Sequence, residues 1–424
     1  MRVIHTADWH IGRTIKGRDL RSYHEAFFSQ LIDIVRSDSI DAVLVAGDIY
    51  DRAIPPLESV ALLSEVLQEL SSYAPVILTP GNHDSPIRLG FAAGMMHKNL
   101  HIFSKTEHVG QAIEIPNSQD EVGALVYPIP YLDPDMSRGA LATWTDADGN
   151  QHLDEGVASP EASAEHASGL VLPRSHESVM AAALRRIGRD LIQRKPWVPV
   201  IAMAHAFITG GLASDSERNI QVGGADSIPG DLFSHLGFHD GYTGTPLDYV
   251  ALGHLHRPQG ITVKNGPQIR YSGSPLPFSY SEEKDVKGIQ ILDFTRVGDL
   301  RTEEINLDAG YRLATVTTTL EAIESGKHED LKDAWTRVIL TDAHRPPGTI
   351  GRIRTHLPNT LEVSFEDKAA VPTIKLSPVP HVQFSTLEML TEFYKQITNT
   401  KPSAQELAIL SDWDEKARQK EVSA

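Results

Sequence analysis

The chain has 424 residues, of which 41% are hydrophobic and 22% charged, and its formal net charge is −17. This composition is typical of soluble globular proteins, and the length accommodates one large domain with one or two small ones. The sequence contains no cysteine, which excludes disulfides, thiolate metal sites and cysteine nucleophiles. Any metal ligands are therefore His, Asp and Asn, which favour ions such as Mn²⁺, Fe²⁺ or Zn²⁺.

Much of the negative charge lies in one stretch. Between Asp133 and Glu177 nine acidic residues face only Arg138 and Arg174, amid Ala, Ser, Gly and Pro. We interpret residues 133–177 as a solvated acidic insertion. The net charge does not favour nucleic acid as a partner, because proteins that bind DNA by charge alone have a basic face. Since part of the excess is local, DNA remains open as a partner.

The sequence gives no sign of a signal peptide or a membrane anchor. Its first residues, Met1 to His5, lack a long apolar core, and no apolar run approaches about 18 residues. We therefore expect a cytoplasmic protein with no membrane partner.

The first part of the chain alternates between short apolar runs and helical patterns. Apolar runs at Arg2–Ala7, Ala42–Ala46 and Pro75–Thr79 are separated by apolar residues at helical spacing in Ser22–Ser37 and Leu57–Leu70. This order predicts a parallel α/β core with crossover connections. Because ligands of such sheets bind beyond the carboxyl ends of the strands, the residues that follow each run are candidates for chemistry.

The rest of the chain continues this pattern and then changes character. We expect strands at Leu100–Phe103, Gly123–Tyr127, Val198–Met203, Tyr249–Leu252, Gln268–Tyr271 and Gly288–Phe294, and a helix at Met180–Arg194. After about residue 304 we expect a small α+β domain, with strands at Tyr311–Thr318, Thr336–Leu340 and Thr360–Phe365 and a helical piece near Leu320–Ala334. A linker at Pro372–Pro380 then precedes two helices, marked by Leu387, Leu390, Tyr394 and Ile397 and by Leu407, Leu410 and Trp413.

Five short polar fragments each follow an apolar run. They are Asp8-Trp9-His10, Gly47-Asp48, Gly81-Asn82-His83-Asp84, Ala204-His205 and Gly253-His254-Leu255-His256. Within the first and the last fragment the ligand residues are two apart, so on an extended strand end both side chains point the same way. Taken singly, each fragment has an ordinary alternative as a strand-end cap or turn former. Together they offer carboxylate, amide and imidazole ligands for two adjacent divalent ions.

The set divides into two metal sites that share one carboxylate. Asp8, His10, Asp48 and His256 would hold one ion, and Asp48, Asn82, His205 and His254 the other. His83 is then left to face substrate, and we expect Asp84 to fix its tautomer and raise its basicity. Two ions about 3.5–4 Å apart clamp a phosphate and activate water for in-line attack. The sequence therefore predicts phosphoester hydrolysis.

These fragments, in this order, resemble those of the calcineurin-like metallophosphoesterases, whose α/β fold has a four-layer αββα core. Within that superfamily, HTADWHIGRTIKG, VAGDIYDRAIPP, TPGNHDSP, YVALGHLHRPQ and RYSGSPLPFSYSE are similar to the SbcD-type DNA-repair nuclease subunits of bacteria, and the likeness extends to about residue 295. It implies a metallophosphoesterase domain over residues 1–304, a small α+β capping domain over 305–380, and C-terminal partner-binding helices over 381–424.

The resemblance also implies an activity and partners. It implies a Mn²⁺-dependent exonuclease and endonuclease acting on DNA ends and hairpins in repair, recombination and replication. It further implies a homodimer that works with an SbcC-type, SMC-like ATPase in a heterotetramer, at the nucleoid. Carried over by position, the metal ligands are Asp8, His10, Asp48, Asn82, His205, His254 and His256, the catalytic histidine is His83, and Asp84 is its partner.

Two weaker predictions concern the partners. Arg13, Lys16, Arg18 and Arg21 follow His10 directly and would guide the DNA backbone to the metals, the alternative being an ordinary solvated loop. The helices of Leu387–Trp413 would dock the ATPase, the alternative being that they pack on the capping domain.

Two other functions compete with a DNA nuclease. A nucleotide or small-molecule phosphodiesterase has the same dimetal core, but in minimal form it has no need of the long C-terminal extension. A scaffold that has lost its metals is disfavoured because no ligand position is missing.

Overall fold

The computed structural model describes residues 1–91, 93–95, 98–146, 148–157, 171–217, 227–239, 241–342, 346–366, 387, 390–391, 394 and 401–421. The strands are β1 (Arg2–Thr6), β2 (Thr14–Ile15), β3 (Arg18–Asp19), β4 (Ala42–Ala46), β5 (Val76–Thr79), β6 (Leu100–Ile102), β7 (Ile113–Pro116), β8 (Val122–Pro128), β9 (Thr143–Thr145), β10 (Gln151–Leu153), β11 (Val200–His205), β12 (Tyr249–Gly253), β13 (Gln259–Ile261), β14 (Gln268–Tyr271), β15 (Gly288–Arg296), β16 (Asp299–Asn306), β17 (Leu313–Thr318), β18 (Trp335–Leu340) and β19 (Thr360–Phe365). The α-helices are α1 (Arg21–Ser37), α2 (Leu57–Tyr73), α3 (Pro86–Leu89), α4 (Pro134–Ser137), α5 (His176–Arg194), α6 (Leu320–Glu324), α7 (Thr349–His356) and α8 (Ala404–Glu421). Short 3₁₀ turns lie at Ala93–Met95, Thr106–His108, Gly230–Phe233, Tyr280–Glu282 and Glu329–Leu331.

Two six-stranded sheets form the frame of the site. Their strand orders are β16-β15-β1-β4-β5-β6 and β13-β14-β12-β11-β8-β7. Strands β1, β4, β5 and β6 run parallel in the first sheet, and β8, β11, β12 and β14 run parallel in the second. The predicted parallel core is therefore confirmed. The five polar fragments lie at the carboxyl ends of β1, β4, β5, β11 and β12.

Three apolar cores stack these elements as helix, sheet, sheet and helix. Alternate residues of a strand point to opposite faces, and in β1 Ile4 shares a core with Phe27 and Leu31 of α1. Its neighbour Val3 instead lies between the two sheets, in a core that includes Ile201 of β11. The third core packs α5 against the outer face of the second sheet. This is the predicted four-layer αββα architecture.

Most predicted elements are present within a few residues of the expected bounds, but three strands of the two sheets are absent from the prediction. These strands, β7, β13 and β16, all lie at sheet edges. In β16, with the sequence DLRTEEIN, every residue is exposed or half-buried. Edge strands carry charged residues that discourage pairing with other chains, so an apolar run does not mark them.

The segment 133–177 is more than a solvated insertion, which corrects the prediction for its described part. Leu141 and Leu172 are buried in the core against α5. Asp154 is also buried and accepts a hydrogen bond from Arg185 Nε at 3.1 Å. A count of charges along the sequence misses this ion pair, because Arg185 lies outside the segment.

The chain divides into two compact units. The first comprises Met1–Thr315, His328–Arg337 and Leu357–Leu361 and contains both six-stranded sheets. The second comprises Val316–Lys327, Val338–His356 and the described residues from Glu362 onward. The boundaries predicted at residues 304 and 380 stay predictions.

The strands predicted for the small α+β domain are present as β17, β18 and β19. The second predicted C-terminal helix is present as α8. The linker Pro372–Pro380 and most of the first predicted C-terminal helix lie outside the described residues. Within the described part of the chain, no helix is both long enough and apolar enough to cross a membrane.

Candidate metal centre

Five loops meet where the parallel strands of both sheets end. The first two run side by side, because Asp8 N–H donates to Gly47 O at 3.0 Å and His10 N–H donates to Asp48 O at 2.9 Å. The structure brings all seven predicted ligands to this place, and all except the half-buried Asn82 are buried. They are Asp8, His10, Asp48, Asn82, His205, His254 and His256.

One group of ligand atoms comes from Asp8, His10 and His256, whose side chains place a carboxylate oxygen and two imidazole nitrogens within 4.8 Å of one another. The Nε2 atoms of His10 and His256 are 3.1 Å apart. The Asp8 carboxylate also accepts the backbone N–H of His254, at 3.0 and 3.1 Å to its two oxygens. This bond ties the loop after β1 to the loop after β12.

A second group converges on the side-chain oxygen of Asn82. This Oδ1 atom lies 3.0 Å from His205 Nε2 and 3.1 Å from His254 Nδ1. Asp48 stands between the two groups, with its Oδ2 atom 3.5 Å from both His10 Nε2 and His205 Nε2. The arrangement matches the predicted division of the ligands into two sites that share Asp48.

The backbone reaches this arrangement in a different way from the one expected. Asp8, His10 and Asp48 have φ values of 54°, 45° and 50°, and His254 has a φ of 109°. These are left-handed conformations, which cost non-glycine residues free energy and occur most often at functional sites. Side chains two residues apart therefore converge because the loops turn sharply beyond β1 and β12, and not because the strands continue.

Two glycines make the close approach of these loops possible. A Cβ atom on Gly253 would lie 1.9 Å from Ala46 O, and one on Gly81 would lie 2.2 Å from Asp48 Oδ1. Any side chain at either position would push the loops apart.

Burial and mutual contact shift the titration of the cluster. Burial raises the pKa of Asp8 to about 7, although His205 opposes the shift. Burial acts on Asp48 in the same direction, but the neighbouring His205 holds the pKa of Asp48 well below its usual range. Burial lowers the pKa of His205, and Asp48 outweighs it and raises that pKa to about 9. Burial, reinforced by His205, lowers the pKa of His254 to about 3.

These residues fit a pair of divalent cations. His205 Nδ1 lies 2.9 Å from Ala46 O, which can only accept, so Nδ1 carries a hydrogen and Nε2 is directed at Asn82 and Asp48. Two nitrogens as close as those of His10 and His256 need a proton or a cation between them. Imidazole, carboxylate and amide donors suit Mn²⁺, Fe²⁺ or Zn²⁺, and binding of such ions to a site like this releases protons.

His83 lies beside this cluster, but Asp84 is not its partner. His83 Nδ1 lies 2.8 Å from the carbonyl oxygen of Asp51, and its Nε2 lies 3.9 Å from Asp48 Oδ2. The Asp84 carboxylate instead accepts the backbone N–H groups of Ile49, Tyr50 and Gly81, each at 2.9 Å. The predicted tautomer-fixing role of Asp84 is therefore wrong, because its oxygens hold the loops after β4 and β5 together.

The basic loop after His10 divides into engaged and exposed residues. Arg13 donates to Asp51 Oδ1 at 3.2 Å and to Ser216 O at 2.8 Å, and its guanidinium lies 4.8 Å from the centre of the Phe278 ring. Arg21 is exposed and donates to Glu25 at 2.8 Å. Lys16 and Arg18 are exposed. Arg13 is thus part of the loop scaffold, so it is a poor candidate for a DNA contact.

A second set of residues behind His256 has no predicted role. Ser216 Oγ lies 2.6 Å from His256 Nδ1, and Glu217 Oε1 accepts the His256 backbone N–H at 2.8 Å. Lys287 donates to the His256 carbonyl oxygen at 2.8 Å and to Glu282 at 2.6 Å. Single polar residues in loops give no periodic signal, although Glu282 ends the stretch RYSGSPLPFSYSE that the sequence singles out.

Comparison with known proteins agrees with this geometry. A family model described as calcineurin-like phosphoesterase matches residues 1–258. The chain is similar to the SbcD subunit of the SbcCD nuclease of Bacillus subtilis, with 32% identity over 318 residues that cover 73% of this chain and 70% of that protein. The SbcD protein of Rhodobacter capsulatus is 32% identical over 313 residues, covering 69% of this chain and 66% of that protein. The SbcD protein of Escherichia coli is 26% identical over 325 residues, covering 76% and 72% respectively.

The chain belongs to the calcineurin-like phosphoesterase family, whose members are metal-dependent hydrolases of phosphate esters. Within that family its curated relatives are nuclease subunits of SbcCD type.

Proposed function

We propose that the chain is the nuclease subunit of an SbcCD-type complex and hydrolyses DNA phosphodiesters at a dimetal site. The observation that carries this proposal is Asp48, which lies 3.5 Å from a histidine of each ligand group, in a chain similar to SbcD nucleases. The activity is that of an ATP-dependent double-strand exonuclease and a hairpin and single-strand endonuclease. It serves DNA repair, recombination and replication in the cytoplasm, at the nucleoid.

The ligand residues have distinct tasks in this reaction. Asp8, His10 and His256 hold one ion, Asn82, His205 and His254 hold the other, and Asp48 is shared. Two such ions, which we propose to be Mn²⁺, supply positive charge to the phosphate and a water nucleophile at neutral pH. The surrounding loops fix the ligands through backbone bonds, so the site is formed before substrate binds.

His83 is the proposed catalytic histidine. The Asp51 carbonyl can only accept a hydrogen bond, so His83 Nδ1 carries a hydrogen and Nε2 is the nitrogen that gains or releases a proton. With both nitrogens protonated, His83 stabilises charge on the phosphoryl oxygens or protonates the leaving oxygen. Asp84 contributes by holding the loops that carry His83 and Asp48.

The proposal is tested by cleavage assays on the purified chain with Mn²⁺, Mg²⁺ or Zn²⁺, with and without an SbcC-type ATPase and ATP. Linear DNA, hairpin DNA and a nucleotide phosphodiester are the substrates. We expect Mn²⁺-dependent cleavage of both DNA substrates and ATP-dependent exonuclease activity in the complex. Turnover of the nucleotide alone would instead support the small-molecule phosphodiesterase.

We further propose that two copies associate through an apolar groove. Ile54, Leu57, Val60 and Phe91 line this groove, and their exposed fractions are 67%, 83%, 44% and 77%. Exposed apolar residues clustered in one groove mark a site of association. A symmetric dimer buries the same groove on both copies, and with two ATPase subunits it makes a heterotetramer.

The C-terminal region 381–424 is the proposed docking element for the ATPase. In α8, Leu407, Ile409 and Trp413 are exposed by 40%, 55% and 67%. An exposed helix with apolar side chains suits docking into a groove of a partner. Deletion of residues 385–424 should prevent co-purification with the ATPase while metal content stays unchanged, and loss of metal in that variant would contradict the separation of the two roles.

A further inference from the structure

His256 is gripped by a short segment of the loop that follows β11. Ser216 Oγ lies 2.6 Å from His256 Nδ1, and Glu217 accepts the backbone N–H of His256 at 2.8 Å. The segment is itself anchored, because Asp215 N–H donates to Ser281 Oγ at 3.0 Å and Arg13 donates to Ser216 O at 2.8 Å. Ser216 therefore meets the imidazole from a fixed position.

A buried carboxylate lies directly behind Ser216. Glu282 has no exposed surface, and its Oε1 atom accepts hydrogen bonds from Ser216 Oγ and, at 3.1 Å, from Ser279 Oγ. Its Oε2 atom accepts from Lys287 Nζ at 2.6 Å. A buried charge is costly unless it is paired, and here Lys287 pairs with it. Lys287 also donates to the His256 carbonyl oxygen at 2.8 Å, so the pair holds both the ring and the backbone of His256.

The direction of these hydrogen bonds follows from the number of hydrogens available. An ionised carboxylate can only accept, and a serine hydroxyl has one hydrogen to give. Ser216 gives this hydrogen to Glu282, so its oxygen must accept from His256 Nδ1–H. The neutral His256 ring then has an unprotonated Nε2, the atom that faces His10 Nε2 at 3.1 Å.

We propose that Glu282, acting through the hydroxyl of Ser216, is a positioning residue that holds His256 in the Nδ1–H tautomer with Nε2 directed at the first metal. Metal-bound histidines usually donate their other ring N–H to a carboxylate or a carbonyl. Here a serine is inserted between the carboxylate and the imidazole. The inference rests on the two-metal site of the proposed function, but it does not depend on DNA as the substrate.

The test compares Mn²⁺ binding by the full-length wild type and by Ser216→Ala, using isothermal titration calorimetry. We expect two ions in the wild type and an affinity about 10–100-fold weaker at one of the two sites in the variant. Ser216→Thr keeps the hydroxyl and should restore the affinity. Ser281→Ala is the matched control, because Ser281 anchors the same segment without touching His256, and it should bind both ions as the wild type does.

A second readout reports the tautomer without metal. Proton–nitrogen NMR of the histidine-labelled, metal-free protein at about pH 8, where an ordinary imidazole is neutral, should place the His256 hydrogen on Nδ1. In Ser216→Ala the signal should move toward the Nε2–H form. Wild-type affinity at both sites together with an unchanged tautomer in Ser216→Ala would overturn the relay. A wild-type protein that fails to bind two ions would instead overturn the proposed dimetal function.

Discussion

His10 and His256, 246 positions apart in the sequence, face each other with their Nε2 atoms 3.1 Å apart. His10 follows a strand of the first sheet, and His256 follows a strand of the second. Their approach depends on the packing of the two sheets face to face, so the core between the sheets also sets the geometry of the site. The chemistry proposed for this chain depends on that packing.

The role of His83 can be separated from metal binding. We expect His83→Ala to keep two bound Mn²⁺ ions, since all seven proposed ligands remain, and to lose cleavage of a DNA hairpin by at least about 100-fold, as is typical for loss of a general acid or base. Metal content and hairpin cleavage are measured on the same preparation. His108→Ala, at an exposed position, is the control, and full cleavage by His83→Ala would refute the assigned role.

The bridging role of Asp48 predicts a loss of both ions from a single substitution. In Asp48→Ala each group of ligands loses the carboxylate that lies 3.5 Å from its histidine. Elemental analysis after dialysis should therefore find little Mn²⁺, against two ions in the wild type. Asp51→Asn, three positions along the same loop and outside the ligand groups, should keep both ions. Unchanged metal content in Asp48→Ala would rule out the bridge.

The buried His5 should make the fold sensitive to acid. Burial lowers the pKa of His5 to about 3, and its ring nitrogens lie 3.1 Å from Tyr249 OH and 3.1 Å from Leu252 O. In the unfolded chain the same group titrates near pH 6.5, so the unfolded state takes up a proton that the folded state refuses. Stability from His5 is therefore complete above about pH 6.5 and falls by about 1.4 kcal/mol per pH unit below it, down to about pH 3.

The substitution His5→Gln removes this proton uptake and keeps a donor and an acceptor at the same place. The free energy of unfolding, measured with urea in the presence of a chelator, should decline less steeply with acid in the variant than in the wild type. Comparison with the wild type cancels the contributions of the other buried groups. Equal slopes in the two proteins would show that His5 is not the group responsible.

Association through the apolar groove is open to a charge test. Leu57→Asp combined with Phe91→Asp places two carboxylates in a surface that a dimer would bury, where unpaired charges are strongly disfavoured. Light scattering coupled to gel filtration should find a dimer for the wild type and a monomer for this variant. Trp197→Asp, which removes an apolar side chain that is 92% exposed and outside the groove, should remain a dimer. A dimeric double variant would exclude the groove as the interface.

The sequence by itself determined the layered α/β core, because apolar runs and helical spacing are local patterns that survive in one dimension. It also determined which residues gather at the site, since polar fragments after parallel strands share one edge of each sheet. It did not determine their contacts. The left-handed turns at Asp8, His10 and Asp48 follow from loop closure.

The partners of each side chain were decided only by the tertiary structure. Asp84 follows His83 in the chain, yet its carboxylate reaches three backbone N–H groups, and a carbonyl from a different loop holds the imidazole. Ser216 and Glu282 lie 40 and 26 positions from His256 and reach its ring region through loops that carry no periodic signal. Hydrogen bonds between loops depend on where the sheets place the loop ends, which is a property of the packed fold. The local sequence therefore names the ligands of the site, and the packing of the two sheets decides what holds each ligand in place.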